Sequence, residues 1–286
     1  MTRKVSLALA LALLPLGAAA CATAPAAEWR EQRTARLEQG LAAQQQQFAR
    51  LRHLDERYTT GGKRPERQLM LDAVGSCVTE ERIGSLGDGG KWICNSFRLP
   101  KDCVVYGVGG NDDISFEEQM AERFGCDVHV FDPSPVSQRA FGALQAGKAL
   151  GKGRLTYHPW GLGPVSKTPG KEMDLGIDGA KCEVKTLAQM AEALGHQRID
   201  VFKMDIEGGE FAVLEDLHRT GLLKKLGVRQ LQIEFHAIEM PGFDALVNEI
   251  EALRGEGFLL FRKEINPYAP HCCSEFAFAE KSFLLD

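Results

Sequence analysis

Two segments of this chain share one design, and that design narrows the possible folds more than any other feature. The first is Val104-Val105-Tyr106-Gly107-Val108-Gly109-Gly110-Asn111, and the second runs from Ile199 through Val201-Phe202-Lys203-Met204-Asp205-Ile206-Glu207-Gly208-Gly209-Glu210. Each is a β-branched and aromatic run suited to a buried strand, followed by a glycine turn and carboxylates. In open α/β sheets the carboxyl ends of the strands are where ligands bind, so two such edges point to one nucleotide-type site.

After the first turn, Ser115-Phe116-Glu117-Glu118 has the spacing of a capping box, with Ser115 and Glu118 satisfying free amides at a helix start. The helix is expected to run to Phe124 and stop at Gly125. Val128-His129-Val130-Phe131-Asp132 then reads as a second strand ending in an acid. Asp132 lies about 20 residues past the glycines, where Rossmann-like units hold ribose hydroxyls. Counting Gly-x-Gly-x-x-Gly from Gly107 puts Asp112 in place of the third glycine, and Asn111-Asp112-Asp113 would repel a pyrophosphate. A nicotinamide dinucleotide is therefore disfavoured. S-adenosylmethionine suits the acids better, because it carries a sulfonium and an amino group and no phosphate. Taken alone, glycine-rich strand ends occur in many α/β proteins.

The blocks Val104 to Gly107, Asn111-Asp112, Ser115-Phe116-Glu117, Gly125 to His129 and Phe131-Asp132-Pro133-Ser134 resemble the methyltransferase-like proteins related to the FkbM-type methyltransferases. So do Lys203 to Glu210, Arg229 to His236, Asn266 and Cys273-Ser274-Glu275. These blocks occur in order between Ile83 and Phe283. The resemblance implies an α/β fold, a Rossmann-like seven-stranded methyltransferase sheet with helices on both faces, and S-adenosyl-L-methionine as cofactor. It does not name the acceptor.

The second half of the chain supplies further strands and helices. A helix is expected after Thr186 to about Leu194, then the strand to Met204, a helix from Glu210 to Thr220 and a strand from Gln230 to Phe235 with Leu231, Ile233 and Phe235 on one face. A helix over Asp244 to Arg254, a strand over Phe258 to Phe261 and a last, antiparallel strand over Glu275 to Leu285 follow. Asp205, Glu207, Glu234 and His236 converge at one sheet edge. They are the candidate catalytic residues, with His236 or Asp205 as the base that takes a hydroxyl proton during an in-line methyl transfer. The same groups suit a divalent cation, but base or substrate positioning ranks ahead of metal and no metal site is assigned. Glu210 reads as an acid in a helix's first turn and Lys203 as a structural partner. Gly107, Gly109, Asn111, Asp132, Ser134 and Trp160 are the candidate cofactor contacts, with Trp160 at the end of the third strand. Ahead of the first strand, Asp88-Gly89-Gly90-Lys91-Trp92 reads either as a pocket-lining segment or as a glycine turn in an edge hairpin.

The rest of the chain bounds compartment and partners. A net charge of −5 over 286 residues gives no global attraction to nucleic acid, so a small-molecule or glycan acceptor is expected. Thr2-Arg3-Lys4, the apolar Val5 to Leu16 and Ala18-Ala19-Ala20 before Cys21 read as a signal peptide or signal anchor over residues 1–20. Cleavage is favoured, and lipidation at Cys21 or retention as a membrane tether are the alternatives. Because S-adenosylmethionine is made in the cytosol, export fits a secretory lumen supplied with cofactor, or a non-catalytic membrane-tethered binding protein that keeps the fold. Residues 21–65 read as linker and helical stalk, with Leu37, Leu41, Phe48, Leu51 and Tyr58 as an apolar stripe interrupted by Gln44 and Asp55. The stripe serves either a projecting stalk or packing on the methyltransferase domain of residues 66–286. Eight cysteines fit an oxidising compartment. Cys94–Cys103 is the expected disulfide, and Cys77 with Cys272 or Cys273 the second. Zinc is disfavoured by the lack of a Cys-x-x-Cys pair.

Overall fold

A computed structural model describes residues 26–58, 71–165, 172–174, 181–236, 243–266, 268–269 and 273–285. The expected signal segment, Cys21, the glycine break after Tyr58 and Cys272 lie outside these residues. In chain order the elements begin with α1 (Ala26–Tyr58), β1 (Glu80–Ile83), β2 (Lys91–Cys94), β3 (Val104–Val108), α2 (Ser115–Phe124), β4 (Asp127–Phe131) and α3 (Pro135–Phe141). Then come β5 (Lys148–Leu150), β6 (Gly153–His158), β7 (Trp160–Leu162), β8 (Glu172–Asp174), β9 (Lys181–Lys185), α4 (Leu187–Leu194) and β10 (Val201–Met204). The last are α5 (Glu210–Thr220), α6 (Leu222–Lys225), β11 (Gln230–His236), α7 (Phe243–Gly255), β12 (Phe258–Ile265), β13 (Cys273–Glu280) and α8 (Lys281–Leu285).

The main sheet has the order β12-β13-β11-β10-β3-β4-β6-β5. It has eight strands, one more than the seven expected, because Lys148–Leu150 adds an antiparallel edge to β6. β10, β3, β4, β6 and β11 are parallel, and β13 runs antiparallel between β11 and β12. The strand order reverses between β3 and β10, which creates the crevice where an open α/β sheet takes its ligand. β13 stops at Glu280 and residues 281–285 form α8, so the strand expected to reach Leu285 is shorter. β1 and β2 form a separate antiparallel hairpin around the Asp88-Gly89-Gly90 turn.

Period-two alternation sorts side chains to the two faces. Tyr106, Val108, Phe131, Phe202, Met204, Leu231, Ile233, Phe235, Phe276 and Phe278 face α4, α5 and α7 in one core. Val105, Val128, Val130, Leu155, Tyr157 and Val201 face α2 in another. Leu37, Phe48 and Leu51 of α1 are buried, and Gln44, which breaks the stripe, is 1% exposed and donates to the Asp72 carbonyl at 2.8 Å. Arg52 and Gln45 bond Glu251 of α7. The helix therefore lies against the domain and does not project as a stalk.

Two local expectations change. α2 spans Ser115–Phe124 and ends at Gly125 with φ +77°, as its turn chemistry requires, but its N-cap is Ile114 and no side chain caps it. Ser115 Oγ instead accepts from Ser85 N at 2.8 Å, and Asp113 accepts from Ser115 N at 2.9 Å. Two disulfides join pairs of described residues, Cys77–Cys94 and Cys103–Cys126, with Cα separations of 5.5 and 4.6 Å. Cys94 and Cys103 bond different partners because Cys94 ends β2 beside Cys77, whereas Cys103 meets the α2–β4 turn, where Asp127 N donates to its carbonyl.

Candidate active site

The glycine turn after β3 is held entirely by its own chain. Gly110 N and Asn111 N donate to Asp132 Oδ2 at 2.9 and 2.7 Å, and Ser134 N donates to Oδ1 at 2.7 Å. Three of roughly four acceptor positions on this carboxylate are thus filled by backbone amides. Asp132 shapes the turn. Ser134 caps α3 by accepting from Ser137 N, and Ser137 Oγ donates to the Asn111 carbonyl. Asn111 has φ +44°. At Gly109, with φ +84°, an added Cβ would stand 1.6 Å from the Asp205 carbonyl, so the end of β10 presses directly on this turn. A Cβ on Gly107 would meet the Glu117 carboxyl at 2.2 Å. Beneath the turn Lys203 donates to the Gly109 carbonyl and stands 3.5 Å from Glu117. That is the structural role expected of Lys203. Trp160 stacks on His158 and Phe131 at 4.8 and 6.0 Å between ring centres, and Lys185 lies 4.6 Å from its ring. It flanks the strand that ends in Asp132.

The structure brings Asp205, Glu207, Glu234 and His236 together next to this turn, as expected. Asp205 and Glu207 follow β10, and Glu234 and His236 share one face of β11. Glu207 has φ +58° and extends into solvent, with its carboxylate 3.2 Å from His236 Nε2. Glu210 is fully buried and bonds His236 Nδ1 at 2.8 Å while accepting from Gly208 N. It is therefore more than a helix-end charge. Burial alone would lower the histidine's pKa, but Glu207 and Glu210 on its two nitrogens outweigh that and push it up to about 11. His236 is then an imidazolium at neutral pH, a form with no free lone pair for the base role expected of it.

The group that sequence reasoning ranked too low is Lys91. It is 2% exposed and ion-pairs Glu275 directly, with Asp205 at 3.5 Å and the Asp88 carbonyl at 3.2 Å. Burial works against its charge, yet Glu275, Asp205 and Glu234 raise its pKa well above the ordinary lysine range. Burial and the neighbouring Asp205 and Glu275 push Glu234 up to about 9, so it holds a proton at neutral pH. Burial raises Glu275 to about 7 against the pull of Lys91. Asp205 is half-buried; the desolvation raises its pKa, but Lys91, Lys203 and His236 together hold it below the usual carboxylate range. Asn266 donates to Glu234 and Asp88 at 2.8 and 2.7 Å. The glycine turn around Lys91 was the only sequence signal for it. Trp92 turns away, donating to Glu264 and stacking under Arg262.

This edge therefore places the ionised Asp205 carboxylate among the Lys91 ammonium, the His236 imidazolium and a protonated Glu234. The acids compose sets compatible with a cation, among them Asp205-Glu207-His236 and Asp88-Glu234-Glu275. The Lys91 ammonium already stands among the second set.

The sequence profile of a family described as Methyltransferase domain matches residues 52–280, spanning β1 to β13 and both halves of this edge. The chain belongs to this methyltransferase family. Among curated relatives, Probable methyltransferase-like protein 24 of Rattus norvegicus is 32% identical over 155 residues, 54% of this chain and 38% of its own length. Its Homo sapiens counterpart is 31% identical over the same share of each chain. The chain thus spans less than half the length of the curated relatives it matches. Magnesium protoporphyrin IX methyltransferase from Synechocystis PCC 6803, solved with bound SAM, has a TM-score of 0.37 at 14% identity, covering 64% of this chain and 72% of that one. These matches name the methyltransferase-like part of the resemblance and leave the FkbM-type kinship an expectation. In this methyltransferase family member, the matched span takes in every candidate site residue.

Proposed function

We propose that the chain is an S-adenosylmethionine-dependent O-methyltransferase acting on a small molecule or glycan in a secretory or other oxidising compartment. The observation that carries this reading is the contact of the Gly109 turn with the Asp205 backbone, which places a cofactor-type turn and an ionised carboxylate side by side. The donor set fits the cofactor: the turn is lined by Asp112, Asp113 and Asp132 and carries no basic side chain, which suits a sulfonium and an ammonium. When bound, S-adenosylmethionine would supply an electrophilic methyl group for transfer to an acceptor oxygen, with S-adenosylhomocysteine as the leaving group. Asp132 offers its remaining lone pair to a ribose hydroxyl while fixing the turn. Trp160 offers an aromatic face beside that strand end. Asp205 accepts the acceptor's hydroxyl hydrogen bond and orients the oxygen, and takes its proton as transfer proceeds. Lys91 and the cationic His236 keep Asp205 ionised in a half-buried setting. Protonated Glu234 donates to Asp205 and holds its orientation.

Two disulfides among the described residues support the oxidising compartment, as does the signal-like segment in the sequence. No described helix is long and apolar enough to cross a membrane.

Calorimetric titration of the purified chain with S-adenosylmethionine and S-adenosylhomocysteine tests the reading. Micromolar binding is expected, lost in Asp132→Ala and kept in Asp205→Asn, which instead loses turnover on hydroxyl-bearing acceptors. A folded protein that binds neither compound refutes the cofactor assignment.

A further inference from the structure

A second polar cluster lies on the opposite face of the sheet from the acids. Asp127 and His129 alternate along β4 on the face shared with Tyr106, and His196 follows the Gly195 cap of α4, which packs on that face. The carboxylate Oδ2 of Asp127 stands 3.4 Å from His129 Nε2 and 4.0 Å from His196 Nε2, and one atom from each residue lies within 4.8 Å of the other two. His129 is 7% exposed, yet its Nε2 has no hydrogen-bond partner, and neither does Asp127 Oδ1. Leaving such atoms buried and unpaired costs about 1–3 kcal/mol each, so the arrangement is incomplete as it stands.

The far sides of both rings are already tied down. His129 Nδ1 meets His158 Nε2 at 2.9 Å, and His196 Nδ1 meets Tyr106 Oη at 2.7 Å. If each Nδ1 carries the proton and donates to that neighbour, both Nε2 lone pairs turn toward Asp127. That is the outer support metal-bound histidines show. In a tetrahedral zinc site with bonds of about 2.0–2.1 Å the ligand atoms stand roughly 3.4 Å apart; the Asp127–His129 separation of 3.4 Å meets that, and the 4.0 Å to His196 and the His129–His196 pair, within 4.8 Å, must contract on binding.

We propose that Asp127, His129 and His196 bind one zinc-class divalent cation through a carboxylate oxygen and two imidazole Nε2 atoms, with a fourth position open to water. Two imidazoles and one carboxylate are a donor set that suits zinc and its neighbours better than calcium or magnesium. The ion enters past Asp127, whose side chain is 43% exposed, and ties the start of β4 to the end of α4. This site is independent of the methyl-transfer reading.

The test uses the full chain without a polyhistidine tag, stripped with a chelator and titrated with zinc against a chromophoric competitor, and in parallel with cobalt. Expected are a micromolar or tighter zinc site and the visible bands of four-coordinate cobalt. Asp127→Asn and His196→Gln should each weaken zinc by at least the roughly 10–100-fold that loss of an outer partner costs. Glu207→Gln, at the other candidate cation cluster, should leave this zinc affinity unchanged. Wild-type protein that binds zinc no tighter than millimolar overturns the proposal. So does zinc affinity that Glu207→Gln abolishes while Asp127→Asn and His196→Gln leave it intact. If either substitution prevents folding, the cobalt spectrum of Glu207→Gln beside that of the wild type decides: bands kept in the variant support this site, and bands lost with Glu207 overturn it.

Discussion

Lys91→Met is the substitution that most directly probes the buried acid cluster. The replacement keeps an unbranched side chain one heavy atom shorter and removes a charge that is 2% exposed and paired with Glu275 and Asp205. Deleting one member of a buried ion pair strands the other and costs about 3–5 kcal/mol. For a chain of this size that corresponds to a fall in melting temperature of about 6–20 °C. The loss should depend on pH in a defined direction. Lys91's pKa is raised in the folded state, so its contribution is fully present below about pH 10.5 and the lysine stays charged throughout the assay range. Glu275 titrates at about 7 in the folded protein, so near pH 8 it is ionised and pairs with Lys91, and near pH 5 it is neutral. Asp205 stays ionised at both. Thermal unfolding of wild type and variant should therefore show a larger loss near pH 8 than near pH 5, where only the Asp205 pair remains. A variant whose melting temperature falls by less than about 2 °C near pH 8, or by the same amount at both pH values, would refute this account.

Three further outcomes follow from the same geometry. In Glu210→Gln, which removes one of the two carboxylates on His236, NMR titration should find the histidine well below about 11. In wild type the stabilisation from this histidine is complete below about pH 6.5 and lost as pH rises through about 11, so an unmoved titration would show that Glu210 does not hold the proton. Gly109→Ala forces a Cβ into the Asp205 carbonyl at a φ of +84°, and strain of about 1–3 kcal/mol from the backbone alone, plus the clash, should abolish cofactor binding by calorimetry. Removing Cys103–Cys126 with paired serines opens a 23-residue loop and should cost about 3 kcal/mol in denaturant unfolding, and peptide mapping without reduction should recover Cys77–Cys94 intact.

Much of the fold was legible because its signals are local. Val104 to Val108 as strand, Ser115 to Phe124 as helix and Glu210 to Thr220 as helix follow from β-branched runs, glycine stops and alternation, which act over a few residues. The acids at the ends of β10 and β11 were legible for the same reason, since a strand's last residues must stand at the sheet edge. The edge strand at Lys148–Leu150 was not, because three residues carry too little pattern to stand out.

By itself the sequence determined which segments are strands and helices, where glycine must end them, and that Asp205, Glu207, Glu234 and His236 share an edge with the Gly107 turn. Only the tertiary structure decided that Lys91 stands among those acids, that Glu210 and Glu207 keep His236 protonated, that Cys94 bonds Cys77, and that α1 lies on α7. Backbone propensity is a property of neighbours in the chain. Proton affinity and disulfide choice depend on a few ångströms between groups that here lie up to 184 residues apart, as Lys91 and Glu275 do, and that spacing exists only once the sheet has assembled.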